Sequence, residues 1–122
     1  MLFYIVEMIR PDYLGQFEQL VLLALLRLGD DAYGMSIRRE IVDRTGRDVA
    51  IGAVYATLDR LREKGYISAK DGAATAERGG RPKRFFKIEG DGVSALKDAR
   101  EHFNVMADGL ALRSENSCPA GI

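Results

Sequence analysis

The sequence predicts a mostly α fold with a small two-stranded β-hairpin. Three observations carry that prediction. Apolar stripes of helical period recur in three stretches between residues 13 and 64. Two short alternating stretches bounded by glycine follow, and a further helical stripe begins after Asp91. At 122 residues, 47% of them hydrophobic and 30% charged, the chain has the size and apolar content of one globular domain rather than a disordered polymer.

The first helix is expected from near Tyr13 with Asp12 as its cap. Leu14, Phe17, Val21, Ala24 and Leu28 share one face, while Leu20, Leu22, Leu23, Leu25 and Leu26 make the helix apolar nearly all round. Such a helix needs a second partner surface. In a domain this small another subunit is the expected source, with Leu22 and Leu26 at the contact. Gly29, Asp30 and Asp31 carry turn chemistry that ends the helix.

A second helix is expected over 34–44, with Met35, Ile37, Ile41 and Val42 mostly inward and Arg38 and Arg39 outward, stopped by Thr45 and Gly46. The third, over 50–64, buries a single narrow stripe of Ile51, Val54, Leu58 and Leu61. Its opposite face carries Gly52, Ala53, Ala56 and Arg60, with Tyr55 and Thr57 on the flanks. With so few long side chains, that face can come close to another object.

Residues 66–70 alternate between Gly65 and Asp71-Gly72 and read as a strand, with 84–88 as its antiparallel mate. The connection over 72–83 is long for a hairpin and holds Gly79, Gly80 and Pro82. The last helix, from Asp91, carries Leu96, Ala99, Phe103, Met106 and Leu110 in a heptad-like seam suited to pairing with another helix. It spans barely two heptads and would be marginal alone. The predicted organisation is a DNA-binding unit over 12–89, a dimerisation helix over 90–112 and a disordered tail over 113–122.

Charge narrows the function. The 18 Lys and Arg balance the 18 Asp and Glu, yet the span from Tyr33 to Lys87 holds 13 basic and 7 acidic residues, leaving −6 on the remainder. A basic middle between acidic ends fits a nucleic-acid footprint beside an assembly region. No apolar run reaches the roughly 18 residues of a membrane span. One cysteine, Cys118, makes neither a disulfide framework nor a thiolate zinc site. Residues 1–9 are apolar but lack a basic leader and a cleavage site, so no signal peptide is read and the cytoplasm is the expected compartment. Met8 is an alternative start.

Three helices followed by a hairpin with a basic loop is the order of a winged helix-turn-helix, here with a C-terminal dimerisation helix added. In that fold the third helix enters the major groove and the wing reaches the backbone or minor groove. The first turn of the third helix offers backbone N–H groups to a phosphate. Gly52, Ala53 and Ala56 permit close approach, and an alanine methyl can touch a thymine methyl. Tyr55 can donate its hydroxyl to a phosphate or pack on the hairpin. Arg60 can pair with phosphate or base, and both it and Lys64 also fit a solvated surface. At the wing, Arg78, Arg81, Lys83 and Arg84 place four cations in seven residues, which repel one another unless an anion neutralises them. His102, the only histidine, has no neighbours at metal-ligand spacing and reads as a surface or interface residue.

The stretch from Leu14 to Arg100 resembles the PadR-like bacterial transcriptional regulators. The resemblance rests on residues 20–26 (LVLLALL), Tyr33-Gly34, residues 52–61 (GAVYATLDRL), Lys64-Gly65-Tyr66-Ile67, residues 79–86 (GGRPKRFF) and Gly90-Asp91-Gly92, all in order. It implies a homodimeric repressor whose first and last helices build the dimer. Tyr55 and the wing over 80–84 would contact a pseudo-palindromic operator in double-stranded DNA. It also implies release by a small hydrophobic or aromatic effector at or near the dimer interface, where Phe103 and Met106 can serve both roles. One departure is Ala50, where relatives commonly have Ser or Thr, so the cap comes from Asp48 or from nothing. The short last helix matches the compact branch without a larger C-terminal domain. No catalytic constellation, cofactor motif or metal pattern accompanies these features, so an enzyme is not expected. The alternative function is a winged-helix module that binds another protein instead of DNA.

Overall fold

The computed structural model describes residues 13–74 and 82–112. Helix α1 (Gln16–Leu28) passes through a short 3-10 turn (Gly29–Asp31) into α2 (Gly34–Thr45), followed by α3 (Ile51–Glu63). Strands β1 (Ile67–Ala74) and β2 (Pro82–Ile88) form an antiparallel hairpin, and α4 (Gly90–Ala107) closes the order. This is the mostly α fold with one hairpin that the sequence predicts, and the order is that of a winged helix.

Three helical stripes meet in one core. Val21, Leu22 and Leu25 of α1 pack with Ile37 and Ile41 of α2 and with Val54, Leu58 and Leu61 of α3, while Ile67 and Phe86 of the hairpin close the remaining side. Burial of these side chains, at about 1.5–3 kcal/mol each, is the main stabilising contribution.

Several boundaries and two assignments differ from expectation. Helix α1 begins at Gln16 with Gly15 as its N-cap, while Asp12 lies outside the described residues. Glu18 completes half of a capping box by accepting from the Gly15 N–H at 2.7 Å. The strands run further toward the wing tip than their alternation indicated, so the connection is shorter than expected.

Leu22, expected at a subunit contact, is 0% exposed within the chain itself. The reason is that α1 packs against α2, α3 and β2 together, so the second surface it needs is largely intramolecular. Leu23 and Leu26 are the leucines of α1 left exposed, at 44% and 49%. Leu110 also departs from expectation. It follows the end of α4 beyond Gly109, whose φ of 81° breaks the helical path, so it is not part of the helical seam.

Helix α4 is seated by its first turn. The Glu89 N–H donates to the Tyr66 carbonyl at 2.8 Å. Gly92 is buried directly over that carbonyl, and a Cβ there would collide with it and with Ile88. Ala95 and Leu96 then pack against the core from outside. Beyond them the residues from 100 to 106 are exposed all round.

Gly92→Ala should therefore cost about 1–3 kcal/mol by forcing α4 off Tyr66. Urea unfolding measures this, with Gly90→Ala, where nothing lies within 4 Å, staying within about 0.5 kcal/mol of wild type.

Candidate nucleic-acid interface

Helix α3 presents the predicted bare face. Gly52, Ala53, Tyr55, Ala56 and Arg60 are exposed, while Val54, Thr57, Leu58 and Leu61 are buried. Thr57, placed on a flank by the sequence, faces the core at 2% exposure. Ala50 caps the helix in an extended conformation without any side-chain hydrogen bond, so Asp48 does not supply the cap. In the first turn of α3 the Ala53 N–H donates to the Ala50 carbonyl at 3.1 Å, and no side chain caps the donors before it.

Tyr55 packs as one of its two expected roles requires, but its packing partner is α2 rather than the hairpin. It is 47% exposed, yet its ring crosses the first turn of α2 at Gly34. A Cβ at Gly34 would lie 2.5 Å from the Tyr55 hydroxyl oxygen and from Cζ. Only glycine allows this approach, and the approach fixes how α3 is presented relative to α2.

The wing is fastened to the same junction. Tyr33, the residue before α2, forms a β-bridge with Phe85, and the Phe86 N–H donates to the Ala32 carbonyl at 2.8 Å. The rings of Tyr33 and Phe85 lie 5.6 Å apart, and the Lys83 ammonium sits 3.9 Å from the centre of the Tyr33 ring. Arg84 pairs across the hairpin with Asp71 at 3.2 Å, both well exposed. Arg78 and Arg81 lie outside the described residues. Lys83 and Arg84, by contrast, stand at the wing base, which is joined to the same α2 start that Tyr55 of α3 crosses.

Arg60 is differently employed. Its guanidinium donates to Thr57 Oγ1 at 3.2 Å and lies 3.6 Å from Glu18. It stands about 12 Å along α3 from Gly52. Lys64 is more deeply committed, donating to both Glu18 carboxylate oxygens at 3.0 and 2.8 Å and to the Tyr13 carbonyl at 3.1 Å. Burial alone would push the Glu18 carboxyl up. The Lys64 and Gly15 hydrogen bonds and the charges of Lys64 and Arg60 outweigh that effect, so the carboxyl lies below its ordinary value.

Sequence reasoning gave no role to Glu18, although its place among Leu14, Phe17 and Val21 was the available signal. An acidic residue on an apolar stripe needs a buried partner. Two further cations of the basic middle are also engaged inside the fold. Arg38 donates to the Val49 carbonyl at 2.6 Å, and Arg47 lies over the Phe17 ring at 5.8 Å.

At the expected seam, Leu96 and Ala99 are half-buried, whereas Phe103 and Met106 are 64% and 80% exposed. His102 lines a groove of about 690 Å³ between the start of α1 and α4, with Tyr13, Lys64 and Asp98. A second groove of about 740 Å³ runs between Leu25 and Leu26 of α1 and Ala69, Phe86 and Ile88 of the hairpin. Among the described residues, no group of three acidic, His or Cys side chains could hold a metal ion, and no helix is long and apolar enough to cross a membrane.

These features define a winged-helix protein whose third helix exposes a face of small residues. The Transcriptional regulator PadR-like family matches residues 22–98, more than half of the chain. The chain belongs to that family, which is one of transcriptional regulators rather than enzymes.

Solved structures agree in fold. A PadR-like transcription factor from Bacteroides fragilis superposes with a TM-score of 0.65 at 22% identity, covering 84% of this chain and 91% of that one. A transcriptional regulator from Clostridium thermocellum gives 0.63 at 23%, covering 74% and 84%. A PadR family regulator from Eggerthella lenta gives 0.62 at 22%, covering 75% and 77%. A search of curated proteins finds no match.

A carboxyl whose value is depressed by folding adds stability above its ordinary range and withdraws it as the pH falls through the folded value. Glu18→Gln should lose about 1–3 kcal/mol at neutral pH, because Lys64 is left without its charge partner. Its stability should also decline less steeply than that of wild type on acidification below the carboxylate range. Urea unfolding at a series of pH values measures both effects.

Proposed function

We propose that this regulator is a homodimeric repressor that binds a pseudo-palindromic operator in double-stranded DNA. The observation that carries the reading is the junction at Tyr33 and Gly34, which ties the bare face of α3 and the base of a cationic wing to one point. In this reading Gly52, Ala53, Tyr55 and Ala56 face the major groove. Arg78, Arg81, Lys83 and Arg84 neutralise phosphates beside it. Arg60, held between Thr57 and Glu18, contributes charge from the far end of α3.

The exposed residues Leu23 and Leu26 of α1 and Phe103 and Met106 of α4 support a dimer. Apolar side chains in such number need a cover, and the distal turns of α4 have none within the described residues. A two-fold dimer would lay two α3 helices in successive major grooves about 34 Å apart. Release by a small apolar or aromatic molecule completes the proposal. The groove beside Leu26 is its site, since a ligand there touches both the dimer contact and the hairpin and can bias the separation of the two reading helices.

The test is a gel shift with DNA from upstream of the chain's own gene at two salt concentrations, backed by selection of bound sequences from a random pool. Selective, salt-sensitive binding to a two-fold motif is expected. No binding at low salt would favour a protein-binding module instead.

Replacing Arg81, Lys83 and Arg84 together with Ala should weaken operator binding by about a hundredfold or more at 50 mM salt and by less at 200 mM, so that the salt slope flattens, with the oligomeric state intact. Sedimentation and fluorescence anisotropy read the two quantities. Phe103→Glu with Met106→Glu should yield monomers by sedimentation, and a stable dimer of that variant would refute the seam. Leu96 is unsuited to this test, because its packing on the core would confound unfolding with dissociation.

A further inference from the structure

Tyr33 stands at the junction named above, and beside the packing of Ile67 and Phe86 on the helical core it supplies the ties between the wing and the start of α2. Its backbone is extended, with φ −132° and ψ 170°, which lets it bridge to Phe85 as a one-residue third strand. The adjacent Ala32 carbonyl accepts from the Phe86 N–H, and the adjacent Gly34 seats Tyr55 of the reading helix. The Tyr33 ring itself meets two wing residues. Phe85 lies against it at 5.6 Å with the planes at 58°, and the Lys83 ammonium lies 3.9 Å from its centre.

A ring that served only to fill space would be covered by apolar groups. Here one ring also holds a cation, an attraction between ammonium and the aromatic quadrupole that leaves the remaining N–H donors for an anion. A free lysine must give up rotamer freedom when it grips a phosphate, whereas one already held over a ring has given up much of it beforehand.

From this geometry we infer that Tyr33 is the positioning residue of the wing. It sets the stance of the hairpin relative to α3 and fixes the Lys83 ammonium, so that wing and helix engage one duplex together. The inference rests on the DNA-binding reading and deepens it.

The experiment compares wild type, Tyr33→Met, Tyr33→Phe, Lys83→Gln and the double variant Tyr33→Met/Lys83→Gln, each first shown to be folded by thermal melting. Methionine keeps apolar bulk without a ring face. Tyr33→Met is expected to bind operator DNA roughly three- to tenfold more weakly and to lower the salt slope by about two, one for each protomer of the proposed dimer. Tyr33→Phe, which keeps the ring, should restore both. Lys83→Gln leaves the ring packing in place and should lower the slope by the same increment, and the double variant should lose no more than either single one.

Amide exchange of Phe86 gives a readout without DNA. It should quicken in Tyr33→Met and recover in Tyr33→Phe. Unchanged affinity and slope in Tyr33→Met, additive slope losses in the double variant, or failure of Tyr33→Phe to recover would each overturn the inference. A wild-type chain that binds no duplex overturns the DNA reading, and with it the role of Tyr33 at an operator. In that event the amide exchange still reports whether Tyr33 holds the hairpin.

Discussion

The arrangement of this molecule depends on one close approach, that of the Tyr55 ring to the backbone of Gly34. Hydrophobic burial draws the three helices together but is not directional, and many crossing geometries would satisfy it. The contact at Gly34 is more specific, because a Cβ there would lie 2.5 Å from Tyr55 Cζ and its hydroxyl oxygen, so this seat requires a residue without a side chain. It joins α3 to the first turn of α2. From the same turn the backbone of Ala32 and Tyr33 reaches out to pair with β2, so the hairpin inherits its position from the helices instead of hanging from them.

The second organising element is the treatment of charge. A net surplus of six positive charges between Tyr33 and Lys87 looks like one broad basic surface, but the fold spends part of it internally. Arg38 braces the turn into α3, Arg47 covers Phe17, and Arg60 and Lys64 converge on Glu18. The pairing at Glu18 joins the start of α1 to the end of α3 at the edge of the apolar core. A buried ion pair of this kind adds little net stability over a well-packed apolar one, but removing Glu18 leaves the Lys64 charge without its partner. Among the described residues Lys83 stands on the wing over Tyr33, while Arg39 of α2 and Arg62 of α3 are exposed elsewhere on the helices.

The helices, the hairpin and the bare face of α3 were legible in the sequence because each follows from periodicity or from a run of small residues. Residues 52, 53 and 56 lie opposite Val54, Leu58 and Leu61, so exposure of the first set follows from burial of the second. Partners were less legible. The apolar girth of α1 shows that it needs cover on two sides, but not that β2 supplies the second side and buries Leu22. The exposed remainder, Leu23 and Leu26, emerges only once the hairpin is in place.

Tyr55 shows a related ambiguity. Its position on the flank of α3 fits both packing and exposure, and the deciding fact, a glycine 21 residues earlier directly beneath its ring, is tertiary. Dipeptide Tyr33-Gly34 was visible as a motif. Its purpose depends on residues 50 positions away that no local pattern connects to it.

The seating of α4 has a mechanical consequence. Its 18 residues extend about 27 Å, and the chain holds its first half, from Gly92 on the Tyr66 carbonyl to Ala95 and Leu96 on the core, while residues 100–106 are exposed. The helix is therefore a cantilever. A rotation of about 5° at Tyr66 carries its tip by roughly 2 Å, using the helical rise alone. Tyr66 in turn links α3 to β1, so a small displacement of either element is magnified at Phe103 and Met106, at the opposite end of the molecule's longest lever.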